Sequence, residues 1–205
     1  MNGGYDDGYE ICPCFWGKEP GSLVKKLSLY INDFSGLNIL DAGCGEGKNA
    51  IHFMRKGATV RALDVSEKAI HNAKLAWPDS SKIFWEVADL RTIDLPSASY
   101  DIIIAYGLCH CLSNKLEITD TITKLKKATR LGGYHLVCAF NSRHQELFAH
   151  EGFHPILLNH TFYTQLYSDY NTLFSSDEDL KEIHPHNKIE HVHSLSRLIV
   201  QKEKK

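Results

Sequence analysis

Three absences restrict what this chain can be. No stretch approaches the ~18 consecutive apolar residues of a membrane span. The first 17 residues, MNGGYDDGYEICPCFWG, carry neither the cationic nor the apolar region of a secretory signal. The formal net charge is only −2, so no basic field draws the chain to nucleic acid or to an anionic membrane. We therefore expect a cytoplasmic protein without nucleic-acid or membrane partners, present as a monomer or a homodimer.

The cysteines also lack the patterns that mark a special class. There are six, and no two of them form a CxxC pair, which argues against a disulfide framework and against a zinc ribbon. Cys12-Pro13-Cys14 and Cys109-His110-Cys111 could in principle ligate a metal, but ordinary thiols are the commoner reading of such spacings. We assign no metal site from the sequence.

What is present is the composition and patterning of one globular α/β domain. Apolar residues make up 43% of the 205 residues and charged residues 23%, which is typical of a soluble chain with one core. Helix-like and strand-like segments alternate, as in a parallel sheet covered by helices. We predict a doubly wound, mostly parallel, seven-stranded sheet that ends in an antiparallel hairpin. The single domain comprises an N-terminal lid or helix (1–35), a cofactor-binding core (36–140) and a C-terminal region (141–205).

The individual elements follow from hydrophobic periodicity and from turn residues. The run 101–105 is apolar throughout, which indicates a central strand buried on both faces. The segment 141–172 has no clear period, and we expect it to lie over the site as an insertion. The closing hairpin pairs 180–186 with 191–201. The other predicted strands are 38–41, 59–64, 83–87 and 134–140, and the predicted helices are 22–30, 48–56, 66–76 (capped by Ser66) and 116–131 (ended by Gly132-Gly133).

The strongest signal for function is a glycine-rich turn between the first strand and the following helix. In Leu40-Asp41-Ala42-Gly43-Cys44-Gly45-Glu46-Gly47 the glycines let the backbone approach a ligand without a Cβ in the way. Dinucleotide dehydrogenases carry GxGxxG at this place, whereas the spacing here is GxGxG. Asp41 would repel a pyrophosphate but can bind a ligand's ammonium group or an ordered water. The turn favours adenosylmethionine over a nicotinamide cofactor.

Further candidate ligands stand at the ends of the following strands. Asp64 can accept both hydroxyls of a ribose, and Asp89 with the Leu90 amide would face an adenine ring. Aromatic residues of the N-terminus could close over a sulfonium by cation–π attraction, or could simply pack the first helix onto the sheet. The predicted cofactor-binding set is Trp16, Asp41, Gly43, Cys44, Gly45, Asp64, Val65, Asp89, Leu90, Ala105 and Tyr106.

Together DAGCGEG, the acidic end of strand two, the Ala88-Asp89 pair and YDIIIAYGLCHCL resemble the Rossmann-like S-adenosylmethionine-dependent methyltransferases over about residues 36–140. The resemblance implies a class I fold, S-adenosylmethionine as cofactor, and transfer of its methyl group to a small-molecule acceptor. Two other functions remain open at this point. One is a nicotinamide-dependent oxidoreductase, and the other is a methyltransferase-like partner protein that binds the cofactor without catalysis.

Within that superfamily the LGGYHLV strand and the C-terminal tail are similar to the tellurite-resistance type of methyltransferase. That family is thought to orient a small oxyanion with a histidine and arginines of the last hairpin. His184 matches the pattern, but Pro185 and His186 stand where an arginine would be expected. The resemblance therefore adds a metalloid oxyanion such as tellurite or selenite as an alternative acceptor.

The histidines are the candidates for handling the acceptor. Eight of the twelve lie in the last 62 residues, and residues two apart on a strand share a face, as His184 with His186 and His191 with His193 would. Three roles remain open for them: general base or oxyanion binder, metal ligands, and structural or solvent-facing residues. The predicted catalytic set is His110, His184, His186 and Arg143, the last as a cation for an anionic acceptor.

Overall fold

The computed structural model describes residues 5–150, 152–183 and 188–203. Short helices and a seven-stranded sheet make up this part of the chain. The strands are β1 (Asn38–Ala42), β2 (Thr59–Asp64), β3 (Ile83–Val87), β4 (Tyr100–Tyr106), β5 (Thr129–Gln145), β6 (Tyr170–Ile183) and β7 (Glu190–Lys202). The helices are α1 (Asp6–Ile11), α2 (Ser22–Leu27), α3 (Lys48–Arg55), α4 (Glu67–Ala76), α5 (Lys115–Ala128) and α6 (His160–Leu166).

The sheet has the order β3-β2-β1-β4-β5-β7-β6. Strands β1 to β5 are parallel, and β7 runs antiparallel to both of its neighbours, β5 and β6. The predicted fold class, mostly parallel with an antiparallel C-terminal hairpin, is confirmed. The strand order reverses between β1 and β4, and ligands of open α/β sheets bind at such a switch point, beyond the carboxyl ends of the strands.

The central strand β4 packs against helices on both faces of the sheet. Ile102, Ile103 and Ile104 of β4 are fully buried. Ile102 and Ile104 belong to the core cluster that contains residues of α2, α3 and α4, whereas Ile103 belongs to the cluster with α5 and α6. Successive side chains of a strand point to opposite faces, so the apolar run supplies both layers. Each such side chain contributes ~1.5–3 kcal/mol on burial.

The predicted boundary between the fifth helix and the fifth strand is wrong. The helix predicted to reach residue 131 ends at Ala128, and Gly132-Gly133 lie inside β5 rather than at a helix C-cap. Thr129 is fully buried and pairs with Tyr100 of β4, so the neighbouring strand starts β5 early. Gly132 has φ +78°, and the pairing of β4 with β5 shifts register next to it. The predicted cap at Ser66 is confirmed, because its Oγ accepts the Ala69 N–H.

The region after β5 holds more regular structure than the sequence predicts. The segment expected to be irregular contains the end of β5, the helix α6 and the start of β6. The hairpin itself is confirmed, and Glu182 pairs with His191 in its register. The hairpin turn at 184–187 lies outside the described residues. Among the helices that the structure describes, none combines the length and the apolar character needed to cross a membrane.

Candidate active site

A cavity of about 270 Å³ opens at the carboxyl ends of β1, β2 and β4. The N-terminal segment and the β6–β7 hairpin contribute to its walls. Nine of the eleven predicted cofactor residues line it: Trp16, Gly43, Cys44, Gly45, Asp64, Val65, Asp89, Leu90 and Tyr106. The other two, Asp41 and Ala105, are each 1% exposed and do not reach the cavity surface.

The glycine turn forms one wall of the cavity, and two of its glycines have a backbone conformation that other residues rarely adopt. Gly43 has φ +71° and Gly45 has φ +53°. The N–H groups of Gly43 and Cys44 both donate to the Leu63 carbonyl, at 2.9 and 3.0 Å, which fixes the turn against β2. A Cβ on Gly43 would lie 3.1 Å from the side chain of Leu108. A side chain at this position would therefore strain the backbone and fill the cradle.

Asp64 links the glycine turn to the turn between β2 and α4. Its Oδ2 accepts the Gly45 N–H at 2.8 Å, and its Oδ1 accepts the Ser66 N–H at 2.9 Å. Burial raises the pKa of the carboxyl even though these two amides favour the charged form. Each oxygen keeps a second lone pair, and the residue lines the cavity. This is the arrangement needed to accept two hydroxyls of a ribose.

Asp41 is a buried carboxyl without a well-formed hydrogen bond to either oxygen. The Ala50 amide lies nearby and favours ionisation, but desolvation, followed by the charge of Asp64, raises the pKa of Asp41 to about 7. A buried polar group without a partner costs free energy, which the fold tolerates here next to the glycine turn. A positive charge brought near this carboxyl would favour its ionised form.

Asp89 is held differently from the other two carboxylates. Its side chain forms a forked ion pair with Arg91, with an Arg91 Nη2 to Asp89 Oδ2 distance of 2.6 Å. The hydrogen bond from Arg91 lowers the pKa of Asp89. Leu90, which is 5% exposed, lines the cavity next to this pair. The role of these residues at an adenine ring stays a prediction.

The N-terminal aromatic residues cover the cavity, and a residue that the sequence did not single out holds them there. Glu46, inside the glycine turn, accepts the N–H groups of Cys14 and Phe15 at 2.7 and 2.5 Å. Lys48, which follows the turn, donates to the Trp16 carbonyl at 2.8 Å. The ring of Trp16 meets that of Tyr5 edge to face, with centroids 4.9 Å apart. The segment is therefore tied to the same turn that forms the cavity wall.

At the other end of the cavity His110 is fixed in one protonation state. The Phe140 N–H donates to His110 Nδ1 at 3.0 Å, so Nδ1 must present its lone pair and the neutral ring carries its proton on Nε2. Nε2 lies 3.3 Å from the Tyr5 hydroxyl. Burial, and secondarily the charge of His150, lowers the pKa of His110 to about 3. His110 can therefore donate a hydrogen bond into the cavity, but it is not set up as a general base.

One of the three remaining predicted catalytic residues, Arg143, does not line this cavity. Arg143 is exposed and forms ion pairs with Asp177 at 3.1 Å and with Asp179 at 2.8 Å, away from the cavity lining. His184 and His186 lie outside the described residues. The hairpin instead contributes Leu180, Glu182 and Leu195 to the lining, and β5 contributes Phe140. Leu180 and Glu182 are two residues apart on β6, so the period of a strand was the sequence signal that both side chains face the cavity.

Comparison with known proteins finds a family model that matches the cofactor-binding part of the chain. Residues 39–133 match the family described as "Methyltransferase domain". An uncharacterized methyltransferase of Mycobacterium bovis is 33% identical over 95 residues, 46% of this chain and 43% of that protein. A ubiquinone biosynthesis O-methyltransferase of Rickettsia typhi is 28% identical over 126 residues, 54% of this chain and 51% of that protein. The chain thus spans about half the length of the curated relatives it matches.

A solved structure extends the likeness to most of the chain. TehB from Haemophilus influenzae has a TM-score of 0.73 at 19% identity, covering 89% of this chain and 62% of that one. At this identity the likeness concerns the fold. Residues 39–133 are therefore similar to a methyltransferase domain, and the chain as a whole has a class I, Rossmann-like α/β fold.

Proposed function

We propose that the chain transfers the methyl group of S-adenosylmethionine to a small-molecule acceptor. The observation that carries the proposal is the cavity, in which a glycine turn with two acidic neighbours is continuous with an aromatic pocket under the N-terminal segment. The turn and Asp64 suit the nucleoside, and the aromatic pocket suits a compact acceptor. The covering segment leaves a small molecule better access than a folded macromolecule.

The residues present fit this cofactor. Gly43 lines the cavity at a place where a Cβ would already crowd the Leu108 side chain, and each carboxylate oxygen of Asp64 keeps a second lone pair. Asp41 lies behind the cavity surface, and the negative charge of its ionised carboxyl favours a ligand with positive charge over a pyrophosphate without direct contact. The nicotinamide alternative is the weaker one for the same reason. Trp16 and Tyr5 present ring surfaces that can shield a sulfonium.

Catalysis in this site is a matter of alignment. When bound, the cofactor supplies an electrophilic methyl group on a sulfonium, which is already a good leaving group. The protein then has to hold the acceptor in line and to keep water away. The Nε2–H of His110 can donate to an acceptor oxygen or nitrogen, and Phe140 stacks on the His110 ring at 4.3 Å and limits its movement. His110 is accordingly an orienting residue in this proposal.

The matched relatives support a small acceptor. The Rickettsia typhi protein is named a ubiquinone biosynthesis O-methyltransferase, and an acceptor of low mass is what we propose for this chain as well. A metalloid oxyanion remains the second candidate, motivated by the resemblance of the C-terminal tail. Arg143, the cation predicted to bind such an anion, is engaged by two carboxylates instead. A neutral or weakly polar organic acceptor fits the aromatic pocket better.

The test is a transfer assay with a methyl-labelled cofactor and an extract separated by mass. We expect label in the low-mass fraction with the wild-type chain and none with Gly43→Val. Separate reactions with tellurite and selenite test the oxyanion alternative. Label confined to protein or nucleic acid would contradict the proposal. Absence of transfer to every fraction, with the cofactor still bound, would favour the non-catalytic partner protein.

A further inference from the structure

A compact group of side chains lies beside the cavity and contains none of the predicted cofactor-binding residues. It consists of His150, His191, His193 and Glu182, called here the histidine cluster. One potential ligand atom from each residue lies within 4.8 Å of every other. The three histidines are buried, at 8%, 1% and 0% exposure. Glu182 also lines the cavity. The residues come from β6, β7 and the segment after β5.

The hydrogen bonds of two histidines direct their lone pairs to one point. His191 Nδ1 lies 2.8 Å from the Ile189 carbonyl, which can only accept, so the proton is on Nδ1 and Nε2 presents a lone pair. His193 Nδ1 lies 2.8 Å from Gln145 Oε1. The Gln145 amide is oriented by its Nε2, which donates to the carbonyls of Asn141 and Ser194, so His193 also carries its proton on Nδ1.

These two lone pairs converge on a third imidazole nitrogen. His150 Nε2 lies 3.2 Å from His191 Nε2 and 3.0 Å from His193 Nε2. A single proton on His150 Nε2 can serve only one of the two lone pairs well. Three imidazole nitrogens turned toward one point in a buried place form an arrangement that a cation satisfies better than hydrogen bonds do.

The spacing of the ligand atoms matches the coordination sphere of a small divalent ion. Glu182 Oε1 lies 3.7 Å from His191 Nε2 and 3.8 Å from His193 Nε2. A tetrahedral ion with bonds of about 2.1 Å has its ligand atoms about 3.4 Å apart. Four of the six pairs of ligand atoms lie 3.0 to 3.8 Å apart, on both sides of that value, and the other two pairs lie within 4.8 Å. The four side chains therefore lie close enough to share one ion after a small inward shift.

The surroundings hold the ligands in place, as they do around known metal sites. The Nδ1–H of a metal-binding histidine usually donates to a carbonyl or carboxylate, and Ile189 and Gln145 supply such acceptors. Phe140 stacks on His193 with ring centroids 4.2 Å apart and planes 19° from parallel. Glu182 and His191 face each other across the hairpin. The site is therefore largely formed before an ion arrives.

We propose that the histidine cluster binds one divalent transition-metal ion of the Zn²⁺ class. Imidazole nitrogen and carboxylate oxygen are ligands that Zn²⁺, Co²⁺ and Ni²⁺ accept, whereas Mg²⁺ and Ca²⁺ prefer oxygen alone. Because Glu182 lines the cavity, the ion would lie in the wall of the acceptor pocket, within reach of an acceptor's oxygen or sulfur. That consequence rests on the proposed function, but the binding of the ion does not.

The experiment uses the full chain, stripped of metal with a chelator and titrated with Co²⁺ in the absence of S-adenosylmethionine. We expect visible absorption bands of a four- or five-coordinate Co²⁺ that saturate at one equivalent and are displaced by Zn²⁺. His191→Gln and Glu182→Gln should each weaken binding. For the histidine the loss should reach at least ~100-fold, because replacing even an outer-shell partner costs ~10–100-fold. The control, His144→Gln, removes an exposed histidine of the same region and should bind as wild type.

Circular dichroism checks that each variant folds. If His191→Gln does not fold, Glu182→Gln, whose side chain reaches the cavity, decides the question. The proposal is overturned if wild type takes up no Co²⁺ or if folded cluster variants bind as tightly as wild type. It is also overturned if a near-ultraviolet thiolate-to-cobalt band shows that cysteines hold the ion. A separate titration with S-adenosylmethionine shows whether the cofactor site is intact, so the two proposals can fail independently.

Discussion

Asp41→Asn should stabilise the cofactor-free protein at alkaline pH while weakening cofactor binding. The side chain is 1% exposed, and neither carboxylate oxygen has a well-formed hydrogen bond. Desolvation, with the charge of Asp64, raises the pKa from its ordinary 3.8 to about 7. At pH 8 the folded protein therefore carries a buried charge that the unfolded chain carries in water. Asparagine keeps the shape of the side chain and removes that charge.

The sign and the size follow from proton linkage. A carboxyl whose pKa is higher in the folded state contributes stability below about pH 4, and this contribution is lost as the pH rises through about 7. A pKa difference between 3.8 and about 7 corresponds to up to ~4 kcal/mol at pH 8. The free energy of unfolding of Asp41→Asn, relative to wild type, should therefore be near zero at pH 4 and should increase up to pH 8.

Urea unfolding at half-unit intervals from pH 4 to pH 8.5 measures this difference. Asp94→Asn, at an exposed carboxyl outside the cavity, controls for the loss of one negative charge. The reasoning is refuted if Asp41→Asn is no more stable than wild type at pH 8, or if the difference between them does not change with pH. If Asp41→Asn gains stability and loses affinity for S-adenosylmethionine, then Asp41 lowers the stability of the free protein and strengthens cofactor binding.

Three further predictions concern the turn, the lid and the acceptor end. Gly43→Val should abolish cofactor binding measured by calorimetry, because the new side chain crowds Leu108 at the cavity wall. The control is Gly36→Val, at φ +73° but with open space around it, which should lower stability and keep cofactor binding. Glu46→Gln should loosen the N-terminal segment, seen as faster amide exchange at residues 14–16; unchanged exchange would show that Glu46 does not tether it. Nitrogen chemical shifts should show His110 neutral, with its proton on Nε2, down to about pH 4, and a protonated ring at pH 6 would contradict this assignment.

The cofactor half of the fold could be predicted from the sequence because its signals are local. Each of β1 to β4 is a short apolar run bounded by glycines, polar turns or a capping serine, and the predicted bounds agree with the structure to within one residue. The glycine spacing and Asp64 likewise depend on neighbours a few residues away. Such signals can be recognised in the sequence without knowledge of the tertiary structure.

The C-terminal half was harder to predict because its order depends on distant pairing. Strand β6 begins at Tyr170, ten residues before the predicted start at residue 180, and it is a mostly exposed edge strand that pairing with β7 holds in place. The tether from Glu46 spans 31 residues to Phe15. His191 and His193 share a buried face, as the period of a strand predicts, but nothing in the sequence indicates that His150 and Glu182 join them.

Binding of S-adenosylmethionine to wild type and to Asp64→Ala, measured by isothermal titration calorimetry beside NAD, tests the central claim most directly. The account predicts one molecule of S-adenosylmethionine bound per chain and no heat from NAD. In the folded variant, binding should be weaker by ~1.5–3 kcal/mol, or ~10–150-fold, because two ribose hydroxyls lose their acceptor in a partly buried site. Binding of NAD in place of S-adenosylmethionine, or unchanged affinity in Asp64→Ala, would contradict it.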